Sequence, residues 1–505
     1  WFLAPWYRRS ERTTVGEIVE DRYGRGLAFA YTLFAIAFFV FNQGAMLKGA
    51  AKVIAVATGG SLVSANQVVY LMTVAFVLYS FFGGLPAAAY TDFVQSLLII
   101  ALSFLLIPKG LAHVGGFDGL RESLPPDYFN LYSEVSGLDA FTIAMLAVNG
   151  LVGIVAQPHM LSMCATGNTE RAGRVGQTYG SMVKRFCTIG WALTGLIVAA
   201  MVVQAGIPLE DHQAAFGSND PEAAFGFACR ELLGPGFVGL MIACVLAANM
   251  STCSNFMVNT GALFTRNLYR EFVDPAAGDR RLLMVGRLSG LALTLLGVVV
   301  ALTIDQVLHA FLFTETIAAL MGVMFLGGIL WKRANRWGAW AATASAFGAY
   351  YALNYLMTCG PSGTPAFTRL RDAWAQLLAS WSDGRLASHL ASGEVMLVYK
   401  WTPAPFGWAM VAGFGSLVVA SLLTRPENAE RIEAFFDRLR RSSDDDARDA
   451  QGNRVLAAER GQDLILMDLP GWLDPERRRG FLRRYREDLV GFALGWLTVA
   501  LLIAC

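Results

Sequence analysis

The chain has 505 residues, of which 55% are hydrophobic and only 16% charged, with a mean hydropathy of +0.46 and a net charge of +1. A soluble domain of this length does not have that balance, whereas a chain with many apolar runs near 20 residues does. The net charge identifies no partner, because charge is segregated into loops, and no nucleic-acid partner is expected. The seven cysteines have no CxxC spacing and the five histidines no HExxH-type pair. Neither a disulfide framework nor a transition-metal centre is therefore expected. With no P-loop, no GxGxxG and no catalytic constellation, the sequence argues against an enzyme.

Hydropathy predicts an all-α, polytopic membrane protein with about eleven transmembrane helices. The opening stretch 1–9 reads as the end of a helix, and an N-terminal fragment is expected to precede Trp1. Spans then follow at 27–56, 66–85, 92–113, 138–160, 181–206, 236–262, 283–304, 307–331, 337–357, 402–424 and 488–505. Loop charge alternates along this series. Basic stretches are Arg8–Arg25, Arg171–Arg185, Arg266–Arg287 and Lys332–Arg336. The loops around Asp118–Glu134 and Glu210–Glu222 are acidic. By the positive-inside rule residues 1–26 are cytoplasmic and the C-terminus is outside. The long outer loop 358–400 is expected to carry a short interfacial helix at Ala373–Ser380. In the soluble stretch 425–487, Glu427–Arg441 reads as an amphipathic helix and Ser442–Asp446 as a loop. Arg477–Arg486 reads as a basic anchor beside anionic lipid.

Polar residues at membrane depth are costly unless they pair or line a wet path. Taken in chain order, Lys48 and Lys52 in the first span are expected to snorkel outward. In the corner stretch Gly83–Gln95, Asp92, with Gln95 one turn on, is expected to open the third span; it is either a helix cap or a gating group for a cation. In the fourth span Asn149, Gly150 and Gly153 precede Gln157-Pro158. Such interruptions mark either a discontinuous helix whose freed backbone meets a ligand, or a kinked helix packed through small residues. Asn149 is the best single candidate for a solute contact, and His159 is expected near the cytoplasmic end as a satisfied polar group. Lys184 and Arg185 are either anchors or partners for Glu315 or an anionic solute. Ser251 and Thr252 are adjacent hydroxyls, and the Ala248 carbonyl lies one turn earlier. They suit a hard cation such as sodium, or they simply bond back to their own helix. Glu315, between Thr314 and Thr316, is either functional or a paired or neutral structural group.

Several fragments, in order, resemble the sodium:solute symporter family. They are residues 14–24, 83–95, 157–161 (Gln-Pro-His-Met-Leu), 247–252 (Ala-Ala-Asn-Met-Ser-Thr) with 266–269, and 330–339. The resemblance implies a LeuT-type fold of two inverted five-helix repeats, with the fourth span as the first helix of the second repeat. It implies a sodium site from the Ala248 carbonyl and the Ser251 and Thr252 hydroxyls, completed by a helix that would precede Trp1. Asn149 matches a sugar-contacting position of the family's sugar carriers, whereas Gln157-Pro158-His159 is more like the proline and monocarboxylate branch. Asn267 stands where many members have Asp. The resemblance thus implies Na+ as coupling ion and import of a small organic solute, a monocarboxylate, amino acid or sugar, across the lipid bilayer. Gly150, Gly153 and Glu315 join Asn149 as solute-site candidates. Asp92, Gln95, Gln157 and Lys184 are candidates for gating or coupling. The chain then divides into a transporter core, 1–424, a charged cytoplasmic linker, 425–487, and a last transmembrane helix, 488–505. The alternative is a transporter-like sensor that relays solute binding to a cytoplasmic partner.

Overall fold

The computed structural model describes residues 1–60, 64–130, 139–165, 167–217, 220–304, 306–358, 401–444, 448–449, 453–469 and 480–504. Ala373–Ser380 and the first part of Arg477–Arg486 lie outside these. Among the described residues the secondary structure is helical apart from two isolated β-bridges. Two short helices, α1 (Leu3–Arg9) and α2 (Val15–Tyr23), precede the long α3 (Arg25–Ala57). Thr14 and Glu17 form a reciprocal capping box at the start of α2, as their spacing dictates. Then come α4 (Ala65–Leu102), α5 (Leu106–Val114), α6 (Gly116–Ser123), α7 (Ala140–Gly153), α8 (Met160–Ala165) and α9 (Glu170–Gln204). They are followed by α10 (His212–Phe216), α11 (Ala224–Leu232), α12 (Pro235–Leu263), α13 (Asp279–Thr303), α14 (Val307–Leu330) and α15 (Arg336–Thr358). The last five are α16 (Pro403–Leu423), α17 (Ala429–Arg440), α18 (Ile465–Asp468), α19 (Phe481–Arg484) and α20 (Arg486–Ala504). Eight described segments are long and apolar enough to cross a membrane, and the remaining three expected spans fall on α7–α8, α15 and α20.

The second and third spans are joined by one continuous helical run, α4, of 38 residues, whose two halves are separate candidate spans, 65–82 and, with α5, 92–114. The run is not straight. Ser80 bonds Ser254 and Asp92 accepts from Asn255, so both halves meet neighbouring residues of α12. Val69 packs with Ile54 of α3, and Leu102 shares a core with Ala57, one turn further along α3; a straight helix would hold Val69 and Leu102 about 50 Å apart. The chain therefore doubles back between Ser80 and Asp92, where the corner is expected. Beyond α4 the Trp191 indole donates to Ser103 Oγ at 3.1 Å.

Two layers of core enclose the middle of the molecule. Leu47, Val69 and Phe76 pack with Cys253, Met257 and Val298, joining α3, α4, α12 and α13. Val152, Leu320, Val323, Ala346 and Phe406 join α7, α14, α15 and α16. Small residues set the closest approaches: a Cβ on Gly322 would collide with the Val152 carbonyl oxygen. The five described cysteines are free and buried, Cys253 within the first of these layers.

Charge pairing sorts the loops into two groups. At one end Lys52 reaches Asp220 at 2.5 Å and Glu222 at 2.6 Å, which corrects the expectation that it snorkels into solvent: the acidic loop after α10 is within reach. At the other end the basic segments gather. Arg8 donates to the carbonyls of Ala165, Gly167 and Asn168. Arg9 pairs with Glu170 at 2.8 Å, Arg336 with Glu427 at 3.1 Å, and Asp21 with both Arg12 and Arg438. The helix expected over Glu427–Arg441 is α17, and it buries Ile432, Phe435, Phe436 and Leu439 against this end.

Candidate functional site

The polar second half of α12 can be sorted residue by residue. Asn249 donates to the Met46 carbonyl of α3 at 2.5 Å, and Ser254 is bonded to Ser80 of α4 at 2.7 Å. Thr260 bonds back to Phe256 at 2.5 Å. These groups are buried and serve packing. Ser251 and Thr252 differ. Both are only half-buried, and both hydroxyls donate to one acceptor, the Ala248 carbonyl, at 2.9 and 3.3 Å. Back-bonding therefore accounts for the hydroxyl protons. The same bonds draw three neutral oxygens together within one helical turn, on a face that is not sealed by packing. Such a donor set fits a hard monovalent cation, to which each hydroxyl would present a lone pair while its proton turns away.

One turn further on, Asn255 donates to Asp92 Oδ2 at 2.7 Å and to the Ser251 carbonyl at 3.2 Å. Asp92 begins the candidate span 92–114 as expected, but the helix-cap alternative is corrected, because helical hydrogen bonding runs on through α4 and leaves no free helix start there. Asp92 faces α12 instead. Asp92 Oδ1 and Gln95 Oε1 are buried without a hydrogen-bond partner among the described residues.

The discontinuity expected in the fourth span is present. Regular helix stops at Gly153, resumes at Met160, and leaves turns between them. Two of the carbonyls so released are taken by tyrosine hydroxyls: Tyr7 donates to Val155 at 2.5 Å and Tyr31 to Ala156 at 2.6 Å. Gly153 lets α7 close on α14, since a Cβ there would stand 3.3 Å from the Glu315 carbonyl. This closeness brings Gln157 Nε2 to Glu315 Oε2 at 2.7 Å, so Glu315 is a paired group. Asn149 is buried, and its Oδ1 has no partner among the described residues. Gly150 faces open space. Lys184 is exposed on α9 and forms no ion pair with Glu315 among the described residues.

His159 is a second correction. Its ring stacks on Phe38 at 6.0 Å and lies 6.4 Å from Phe39 and 6.1 Å from Phe256. Its Nδ1 is buried with no partner among the described residues. Aromatic packing between α3 and α12, which a single-span view does not include, holds it there. Phe256 lies one turn after Thr252, so this stack joins the hydroxyl turn of α12 to the break in the fourth span. Sequence reasoning also missed Tyr7 and Tyr31, whose partners are more than 100 positions away.

Comparisons with known proteins show the family and the fold. The profile of the sodium:solute symporter family matches residues 1–345. The osmoregulated proline transporter OpuE of Bacillus subtilis (strain 168) is 30% identical over 282 residues, 54% of each chain. The sodium/mannose cotransporter SLC5A10 of Bos taurus is 27% identical over 402 residues, 72% of this chain and 66% of that one. The chain thus spans about half the length of the first of these relatives. A solved Na+-coupled sialic acid symporter, in a substrate-bound outward-open state, superposes with a TM-score of 0.57 at 17% identity, covering 85% of this chain and 81% of the other. That likeness shows a shared LeuT-type, all-helical fold.

Proposed function

Because the chain belongs to the sodium:solute symporter family, we propose that it is a multi-pass secondary active transporter in which inward sodium flow drives uptake of a small organic solute by alternating access. The observation that carries this reading is the convergence of the Ala248 carbonyl with the Ser251 and Thr252 hydroxyls, one turn from the aromatic stack on the broken helix. The three oxygens hold part of a sodium shell. Asn149, Gly153 and Glu315, with Gly150 on the open side, line the solute site at the break. Gln157 holds Glu315 through a hydrogen bond, Lys184 is the nearby cation for gating or coupling, and Asp92 with Gln95 forms a polar step one turn beyond the sodium. The solute is of the amino-acid, sugar or monocarboxylate class, in keeping with relatives named for proline and mannose.

The basic end, with residues 1–26 and the 425–487 linker, faces the cytoplasm, and α20 exits outward. Its support is the segregation of Arg-rich segments from the Lys52–Asp220–Glu222 cluster.

Coupling requires that sodium bind the solute-competent state more tightly than its alternative. Ser251→Ala and Thr252→Ala, tested separately in vesicles with an imposed sodium gradient, are expected to raise the half-saturating sodium concentration for uptake about tenfold, the equivalent of one lost ligand of about 1.4 kcal/mol. Unchanged sodium dependence in both variants refutes the assignment.

A further inference from the structure

Helix α14 runs through the middle of the molecule and is packed against α3, α7, α15 and α16. From Thr314 to Phe325 every residue of it is buried except Glu315. The gap beside Glu315 therefore lies inside the bundle and not on a lipid-facing surface. Its carboxylate is satisfied on one side only. Oε2 accepts from Gln157 Nε2 at 2.7 Å. Oε1 has no hydrogen bond among the described residues and is not closed off by packing. Lys184 forms no ion pair with it among the described residues.

One neutral amide does not compensate a carboxylate at membrane depth, where an ionised group is costly without an opposite charge. The facing helix adds a second unfilled acceptor. Asn149 of α7 is 3% exposed, and its Oδ1 has no partner among the described residues. It lies one turn before Gly153, which stands against the Glu315 backbone. The break in the fourth span thus presents a carboxylate oxygen and an amide oxygen that no donor of the chain fills. What it lacks is a positively charged donor.

We propose that the solute carries a protonated amine, and that Glu315 selects it through Oε1. The proposal rests on the reading of the break as the solute site. An ammonium group supplies the missing charge together with N–H donors, in charge-assisted bonds. Sugar hydroxyls would donate to Oε1 but leave the charge uncompensated. A monocarboxylate would set a second negative charge beside the first, and like-charge repulsion rejects it. In a zwitterion the ammonium group stands between the two carboxylates and offsets both. Of the three solute classes this leaves the amino acids, together with amines that have no carboxylate. Gln157, bonded to Oε2, keeps the carboxylate in place and is a positioning residue.

The test is a thermal-shift comparison on the full chain in detergent at fixed sodium and neutral pH, with three pools: amino acids and simple amines, short monocarboxylates, and hexoses. A saturable rise in Tm is expected from the amine-bearing pool alone. For the member that binds, the analogue with the same carbon skeleton and no amine should bind about 10- to 100-fold more weakly. Glu315→Gln keeps the size of the side chain and an acceptor for Gln157 while removing the charge. It should weaken the amine about 10- to 100-fold and narrow its advantage over that analogue. The comparison on wild-type protein needs no variant to fold. Stabilisation by carboxylates or hexoses only, none by any amine, or unchanged amine affinity in Glu315→Gln each overturns the proposal. Sodium-driven uptake of a sugar or a monocarboxylate would also overturn it while leaving sodium symport intact, whereas uptake of an amine without sodium dependence would strike the symport reading instead.

Discussion

Glu170 is the residue whose removal the structure prices most clearly. It begins α9, and its carboxylate accepts Arg9 Nε at 3.1 Å and Arg9 Nη2 at 2.8 Å. The backbone N–H and hydroxyl of Ser443 add donors at 2.7 and 3.0 Å. Glu170 N in turn donates to Asp444 Oδ1 at 2.7 Å. Both members of the ion pair are buried, at 2% and 6% side-chain exposure. Glu170→Ala leaves the Arg9 guanidinium in place with only the carbonyls of Leu439 and Gln462. Breaking such a pair from one side costs about 3–5 kcal/mol. The loss should fall on local opening of the loop after α17. Amides of residues 442–444 are then expected to exchange with solvent about 10²- to 10³-fold faster. Hydrogen–deuterium exchange on wild type and variant measures this directly. Arg9→Met with Glu170→Leu, which removes the buried charges together, should recover most of the loss. Exchange at 442–444 within twofold of wild type in Glu170→Ala would refute the argument.

Two further outcomes follow from the packing around the broken helix. Gly322→Ala places a methyl group against the Val152 carbonyl and should destabilise by about 1–3 kcal/mol; Gly150→Ala, with open space beside it, should leave Tm within about 1 °C, and equal melting of the two variants would remove the case for close docking of α7 on α14. Tyr31→Phe and Tyr7→Phe each strip a donor from a carbonyl of the break, at about 1–3 kcal/mol for a buried acceptor left unsatisfied, read as a lower unfolding midpoint in a thermal-shift assay.

What could be read without coordinates followed from local chemistry. Span positions come from apolar length alone, and the interruption at Gly153–Pro158 from residues that cannot continue a regular helix. The amphipathic α17 shows its buried stripe, Ile432, Phe435, Phe436 and Leu439, in its spacing. The gathering of Ala248, Ser251 and Thr252 also lies within one turn. Partners across helices were not legible. Gln157 finds Glu315 only because two glycines let α7 approach α14, and His159 is held by rings from two other helices. The buried Arg9–Glu170 network was hidden for a related reason. Each residue looks like a solvated surface charge until the loop at Ser442–Asp444 folds over both.

The pairing of the two candidate half-sites bears on how sodium could act on a solute. No direct hydrogen bond runs between the hydroxyl turn of α12 and the Gln157–Glu315 pair among the described residues. The connection is the row Thr252, Phe256, His159, Gln157, Glu315, with a helical turn, an aromatic contact, a chain turn and a hydrogen bond as successive steps. A cation that withdraws the Ser251 and Thr252 hydroxyls from Ala248 changes the bonding of the turn on which Phe256 sits. Aromatic packing resists small continuous shifts, so that change is passed to His159 as a choice between discrete positions or not at all. Coupling by this route therefore depends on the His159 stack and not on the charge of Glu315. A purely electrostatic coupling would have the opposite dependence.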